Sequence, residues 1–143
     1  MSKIIGYTTG VFDLFHIGHL NILKQAKAQC DYLIVGVSTD KLVQEYKHKT
    51  PIISYEERVE IVKAIRYADE VVPQRSRDKM AALKMYHFNK MFVGDDWKNS
   101  ELFKNLEIEF QKNGVDIIYF PYTKGTSSTF LKQTLLKINS TTQ

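Results

Sequence analysis

The chain has 143 residues, 43% of them apolar and 25% charged, with a formal net charge of +4 and one cysteine. That size and composition describe one globular domain with a proper core, and exclude a disordered, collagenous or disulfide-stapled protein. No apolar run reaches the length of a membrane-crossing helix, no signal-peptide pattern opens the chain, and the spread positive charge fits a small anionic ligand as well as it fits nucleic acid; the ligand reading is taken, with a cytoplasmic setting, no membrane and no nucleic acid expected.

Apolar runs and amphipathic stretches alternate along the chain. The first strand is expected over Lys3 to Thr9 and the first helix over Ile17 to Gln29, where Leu20, Leu23 and Ala26 share a face. Cys30 falls at the end of that pattern as a packed or idle thiol. Tyr32 to Val37 reads as a strand buried on both faces, and Thr39 to Lys49, polar and lysine-rich, as mostly loop. Ser54-Tyr55-Glu56-Glu57 is a capping-box pattern that starts a helix running to about Tyr67. A short strand follows from Glu70, closed by Pro73, then a helix over Lys79 to Phe88 and a strand at Met91 to Val93. Leu102, Phe103, Leu106 and Phe110 mark a helix over Asn99 to Asn113, which Asn113-Gly114 stops. Val115 to Phe120 is the fifth strand. The last helix, Phe130 to Ile138, is capped by one of Ser127, Ser128 and Thr129, and residues 139–143 are expected as a disordered tail to a single domain of residues 1–138. Five strands alternating with helices predict an α/β fold, a doubly wound five-stranded parallel sheet, with ligand-facing loops after each strand.

The chemistry concentrates in the first of those loops, Gly10-Val11-Phe12-Asp13-Leu14-Phe15-His16-Ile17-Gly18-His19. Gly10 and Gly18 permit close approach, and the helix that opens there presents unpaired N–H groups to an anion. His16 and His19 stand three residues apart at the same helix start, where imidazoles can donate to phosphate oxygens and stabilise growing charge. Metal ligation and a packing role are the competing readings of such a pair. No Glu or third His stands nearby at helical spacing, so phosphate fits better and no metal-binding residue is assigned. A second phosphate cradle is expected at Thr123-Lys124-Gly125-Thr126-Ser127-Ser128-Thr129, where glycine and hydroxyls open the last helix; an ordinary helix cap is the alternative.

The order G-x-F-D-x-x-H-x-G-H resembles the HxGH motif of the nucleotidyltransferase superfamily, and GVFDLFHIGH is similar to its cytidylyltransferase branch, which includes the glycerol-3-phosphate, choline-phosphate and ethanolamine-phosphate enzymes. The resemblance runs from Tyr7 to about Lys132. It implies a Rossmann-like nucleotidyltransferase fold, transfer of a nucleotidyl group from CTP to a phosphorylated acceptor with release of pyrophosphate, Mg²⁺ bound with the CTP, and a homodimer. It also implies His16, His19 and Lys49 as catalytic residues, and Thr9, Gly10, Val11, Phe12 and Gly18 beside the nucleotide. Val11 stands where the glycerol-3-phosphate enzymes carry threonine. Tyr122-Thr123-Lys124-Gly125-Thr126-Ser127-Ser128-Thr129 resembles the family's R-T-x-G-I-S-T-T segment, with Thr123, Lys124, Gly125, Ser127, Ser128 and Thr129 on the triphosphate. Tyr122 replaces the arginine of that segment, and Lys124 offers a point charge in place of a fork.

Arg66-Tyr67-Ala68-Asp69-Glu70-Val71 is similar to the family's R-Y-V-D-E-V, which implies Arg66 near the nucleotide; a surface arginine paired with Asp69 or Glu70 is the alternative. Gly94-Asp95-Asp96-Trp97 resembles the G-D-D-W of the glycerol-3-phosphate enzymes, and implies Asp96 on the cytosine side and Trp97 near the acceptor, against simple packing for the tryptophan. Lys47 and Lys49 take the positions of two functional lysines, one at the acceptor phosphate and one at the nucleotide; a solvated basic loop is the alternative. Arg77 or Lys79 fills the place of a further acceptor lysine, and Arg58 is expected only in helical salt bridges. The implied reaction makes CDP-glycerol for a wall or capsule polymer. Another phosphorylated acceptor, ATP in place of CTP, and a non-catalytic nucleotide sensor are the other readings.

Overall fold

The computed structural model describes residues 3–121 and 127–141, the last three as backbone only. Five strands, β1 (Ile5–Gly10), β2 (Tyr32–Ser38), β3 (Glu70–Gln74), β4 (Lys90–Gly94) and β5 (Asp116–Phe120), form one sheet in the order β3-β2-β1-β4-β5, and every neighbouring pair is parallel. The helices are α1 (Ile17–Lys27), α2 (Asp40–Lys47), α3 (Tyr55–Lys63), α4 (Lys79–Tyr86), α5 (Glu101–Lys112) and α6 (Ser128–Thr141), with a 3-10 turn at Asp95–Trp97. The expected doubly wound α/β fold is the observed one.

Alternation along the strands sends side chains to two cores. Leu33, Val35 and Val37 of β2 join Phe92, with Leu23 and Ala26 of α1 and Val62 of α3, on one face. Ile34, Tyr7 and Met91 meet Leu83 of α4 and Phe103 and Phe110 of α5 on the other. Each fully buried aliphatic or aromatic side chain contributes about 1.5–3 kcal/mol to folding. β1 lies at the centre, and the strand order reverses between β1 and β4, which opens a crevice at their carboxyl ends.

Several boundaries differ from the sequence reading, each for a local reason. Residues 40–47 form a helix where a loop was expected: Thr39 Oγ1 accepts the Leu42 N–H at 3.2 Å, and burial of Leu42 and Val43 outweighs a polar surface. His48, left-handed at φ 56°, ends it. β3 continues through Pro73 to Gln74, because an edge strand tolerates a residue without an N–H. α3 starts at the expected cap, Ser54, and stops at Lys63, short of Tyr67. Asp78 caps α4 and Ser100 caps α5, and Gly114 at φ 71° ends α5 in a conformation that suits glycine. Ser127 caps α6, its Oγ accepting the Phe130 N–H at 3.0 Å. α6 runs on to Thr141, so residues 139–141 are helical and not the tail expected there. Among the described residues no helix is long and apolar enough to cross a membrane.

Candidate active site

The turn from β1 into α1 is held by its own backbone donors. His16 is the N-cap of α1: its Nδ1 accepts the Gly18 N–H at 3.0 Å, and His19 Nδ1 accepts the His16 N–H at 3.2 Å. The pair is thus a capping box built from imidazoles. Because each Nδ1 is an acceptor, each neutral ring carries its proton on Nε2, and neither Nε2 has a partner among the described residues. The rings stack with centroids 4.0 Å apart. Burial holds the His16 imidazole below its ordinary range. Burial against Phe12 and Phe15, with His16 beside it, lowers His19 to about 4 even though Asp13 pulls the other way. Near neutral pH both rings are therefore uncharged Nε2–H donors.

The turn that leads into them is strained. Phe12 and Leu14 sit at φ 57° and 52°, at a typical cost of about 1–3 kcal/mol each. Tertiary bonds hold the strain in place. The buried Asp13 carboxylate accepts the N–H groups of Ile52 and Ile53 at 2.8 and 2.9 Å and the Lys132 ammonium of α6 at 2.8 Å. Burial raises this carboxyl, but the bonds from Lys132, Ile53 and Ile52 outweigh it and hold it below the usual range. Ser128 Oγ donates to the Asp13 carbonyl at 2.5 Å, docking the start of α6 onto the turn. Gly10 leaves room for the Phe12 ring, which a Cβ would approach to 3.0 Å.

Arg58 fixes the neighbouring wall. It is fully buried and donates to the carbonyls of Val11, Ser38 and Ile53 at 2.7–2.9 Å and to the Asp40 carboxylate at 2.5 Å. One guanidinium thus joins the segments that follow β1 and β2 to the loop before α3. This corrects the expectation that Arg58 makes only helical salt bridges.

These elements enclose a cleft of about 820 Å³ at the carboxyl ends of the strands. Of the expected site residues, Thr9, Gly10, Val11, Phe12, His19, Lys47, Lys49, Arg77, Lys79, Trp97, Ser128 and Thr129 line it. His16 and Gly18 stand behind His19 in the capping box, and Ser127 is spent on capping α6. Thr123, Lys124 and Gly125 lie outside the described residues.

Two expected residues are not brought there. Arg66 precedes the amino end of β3, with Nη2 3.3 Å from the Tyr67 hydroxyl. Its alternative pairing fails as well, since Asp69 binds Lys27 and Glu70 binds Tyr32. Asp96 is exposed on the 3-10 turn and does not line the cleft, because that turn directs Trp97 there instead. Sequence reading missed Asp13, Arg58, Lys132 and Tyr46. Only Asp13 carried a signal, its place inside the motif.

The cleft is basic. Lys47, Lys49, Arg77 and Lys79 line it, and none of them makes an ion pair among the described residues. Burial, then the neighbouring Lys49, Lys132 and Arg77, lowers the Lys47 ammonium. Burial and Arg77 bring Lys79 to about 8; its Nζ lies 3.3 Å from Thr9 Oγ1. An anion arriving there relieves repulsion and restores full charge to these groups. The N-termini of α1 and α6 converge on the same space.

Residues 7–142 match the cytidylyltransferase-like family. The chain belongs to that family. Among its relatives, the glycerol-3-phosphate cytidylyltransferase of Bacillus subtilis (strain 168) is 38% identical over 134 residues, covering 93% of this chain and 96% of the relative. The FAD synthase of Thermococcus kodakarensis is 38% identical over 125 residues, 85% of this chain and 82% of that enzyme. Among solved structures, the lipopolysaccharide core biosynthesis protein from Thermoplasma volcanium GSS1 superposes with a TM-score of 0.71 at 26% identity, covering 87% of this chain and all of that one. A cleft lined by two helix N-termini, the His19 imidazole and cations without ion-pair partners among the described residues is consistent with that membership.

Proposed function

We propose that the protein transfers CMP from CTP to a small phosphorylated alcohol, glycerol 3-phosphate, giving CDP-glycerol and pyrophosphate. The observation that carries the reading is the imidazole capping box: two neutral rings, locked by backbone N–H groups, of which His19 lines a basic cleft. The likeness to the glycerol-3-phosphate cytidylyltransferases over nearly the whole chain supplies the acceptor.

In this reading a phosphate oxygen of the acceptor attacks the α-phosphorus of CTP. The new P–O bond forms as the bond from the α-phosphorus to the bridging oxygen breaks, and pyrophosphate leaves with that electron pair. No protein nucleophile takes part; positioning and charge stabilisation carry the rate. The Nε2–H groups of His16 and His19 donate to oxygens around the α-phosphorus as charge builds. Lys49 and the start of α6 hold the triphosphate, while Lys47 and Lys79 hold the acceptor phosphate. Among the described residues no group of three His, Cys, Asp or Glu converges to cage a metal. The donor set therefore suits an Mg²⁺ ion carried on the triphosphate by phosphate oxygens and water, where it would neutralise charge. A homodimer, a cytoplasmic setting and use of the product in a wall or capsule polymer belong to the same proposal.

A second reading, AMP transfer from ATP, draws on the likeness to FAD synthase. Pyrophosphate release measured with CTP and ATP in turn, across a panel of phosphorylated acceptors, decides between them. CTP with glycerol 3-phosphate is expected to give the fastest release; release with ATP alone would overturn the proposal.

A further inference from the structure

Two aromatic rings stand at the acceptor side of the cleft, Tyr46 near the end of α2 and Trp97 on the 3-10 turn after β4. Paired aromatic faces beside a phosphate site have the chemistry that holds a quaternary ammonium. Here the chain supplies its own cation. The Arg77 Cζ lies 4.7 Å from the Tyr46 centroid and 5.9 Å from that of Trp97, and the Lys47 ammonium lies 5.6 Å from Tyr46. Trp97 is itself steadied by Phe103, with ring centroids 5.4 Å apart.

Stacking uses the faces of a guanidinium and leaves the N–H donors at its edge. Neighbouring groups also present donors. Ser38 Oγ donates to Gln74 Oε1 at 2.7 Å, which fixes that buried amide and leaves its Nε2 to serve the cleft. Lys79, two residues on, adds an ammonium to the same cleft. The nearby carboxylates are engaged: Asp78 caps α4 through Ala81, Asp40 binds Arg58 and Asp13 binds Lys132. Glu109, on the α5 side, lies 3.4 Å from Lys112.

We propose that Arg77 is a specificity-determining residue for the acceptor. By filling the space between Tyr46 and Trp97 it excludes a tail that ends in a quaternary ammonium, and its edge donors select a tail that bears hydroxyl or other oxygen acceptors. The assignment rests on the phosphorylated-alcohol reading above and narrows it to phosphates of uncharged polyols over those of amino alcohols.

Trp97 is the sole tryptophan, so its emission reports on this corner directly. The full-length protein is titrated with glycerol 3-phosphate and with phosphocholine, and the same two compounds serve as acceptors for pyrophosphate release from CTP. The wild type is expected to favour glycerol 3-phosphate by about tenfold or more in both readouts, and Arg77→Ala and Arg77→Gln to cut that ratio by about tenfold. The change should combine weaker glycerol 3-phosphate with tighter phosphocholine, while the KM for CTP moves by less than about threefold. Arg77 is exposed, so both variants are expected to fold. A wild type that binds the two compounds equally, or variants that keep the wild-type ratio, would overturn the assignment. Loss of pyrophosphate release with every acceptor, while the emission titrations keep their Arg77-dependent preference, would instead defeat the proposed transfer and leave this assignment standing.

Discussion

At the amino ends of the strands the acidic groups Asp69 and Glu70 are each engaged. Lys27 lies 2.6 Å from Asp69 and also donates to the Asp31 carbonyl; Asp69 accepts the Leu33 N–H, and the Tyr32 hydroxyl meets Glu70. At the carboxyl ends Lys47, Lys49, Arg77 and Lys79 share a cleft with no carboxylate partner among the described residues. The same sheet has its acids engaged at one end and a cluster of cations without carboxylate partners among the described residues at the other. Burial, then repulsion from neighbouring cations, disfavours the charged forms of Lys47 and Lys79, and strained backbone at Phe12 and Leu14 adds to the cost. That end is completed only when an anion arrives.

The contrast can be broken most sharply at Arg58, a fully buried cation beside the cleft whose nitrogens are all engaged. Arg58→Met removes the donor from three carbonyls and from one oxygen of Asp40, whose other oxygen keeps the Tyr55 N–H, and is expected to cost about 3–5 kcal/mol of stability in urea denaturation. A loss below about 1 kcal/mol would show that the buried network is dispensable.

The imidazole pair comes next. An asparagine at position 16 can still accept the Gly18 N–H but offers no Nε2 donor, so His16→Asn separates capping from chemistry. Turnover is expected to fall by about 100- to 1,000-fold while the melting temperature stays near wild type. His19→Ala should lose turnover comparably. Retained turnover in both would remove the imidazoles from the mechanism.

A smaller effect sharpens the basic side. Lys79 is depressed to about 8, so its ammonium is present below that pH and is lost as pH rises through it. The kcat/KM for the acceptor should therefore fall about tenfold per pH unit above 8. Lys79→Arg, which stays charged, should move that limb to higher pH. A profile flat to pH 9.5 in the wild type would place Lys79 outside acceptor binding. Smallest of all, Lys27→Met at the amino ends of the strands should cost about 1 kcal/mol or less and leave turnover unchanged.

Much of this architecture is legible in the residues. The alternation of runs predicts the parallel sheet because each strand must cover two faces and each helix one. The glycine-histidine turn predicts an anion site because its capping and its donors are local, closed within residues 16–19. The helix at 40–47 was less legible, since Leu42 and Val43 become apolar anchors only once a core receives them.

The sequence by itself determined the fold class, the motif turn and the kind of ligand, because these follow from spacing along a few neighbouring residues. Tertiary structure alone decided that Arg58 is buried, that Asp13 ties the motif turn to α6, that Arg77 stacks against Tyr46 and Trp97, and that Arg66 stands apart from the cleft. Each of those outcomes depends on which segments the sheet order brings together. A side chain's charge is written in the chain, but whether it is paired, buried or left waiting is fixed only by its neighbours in space.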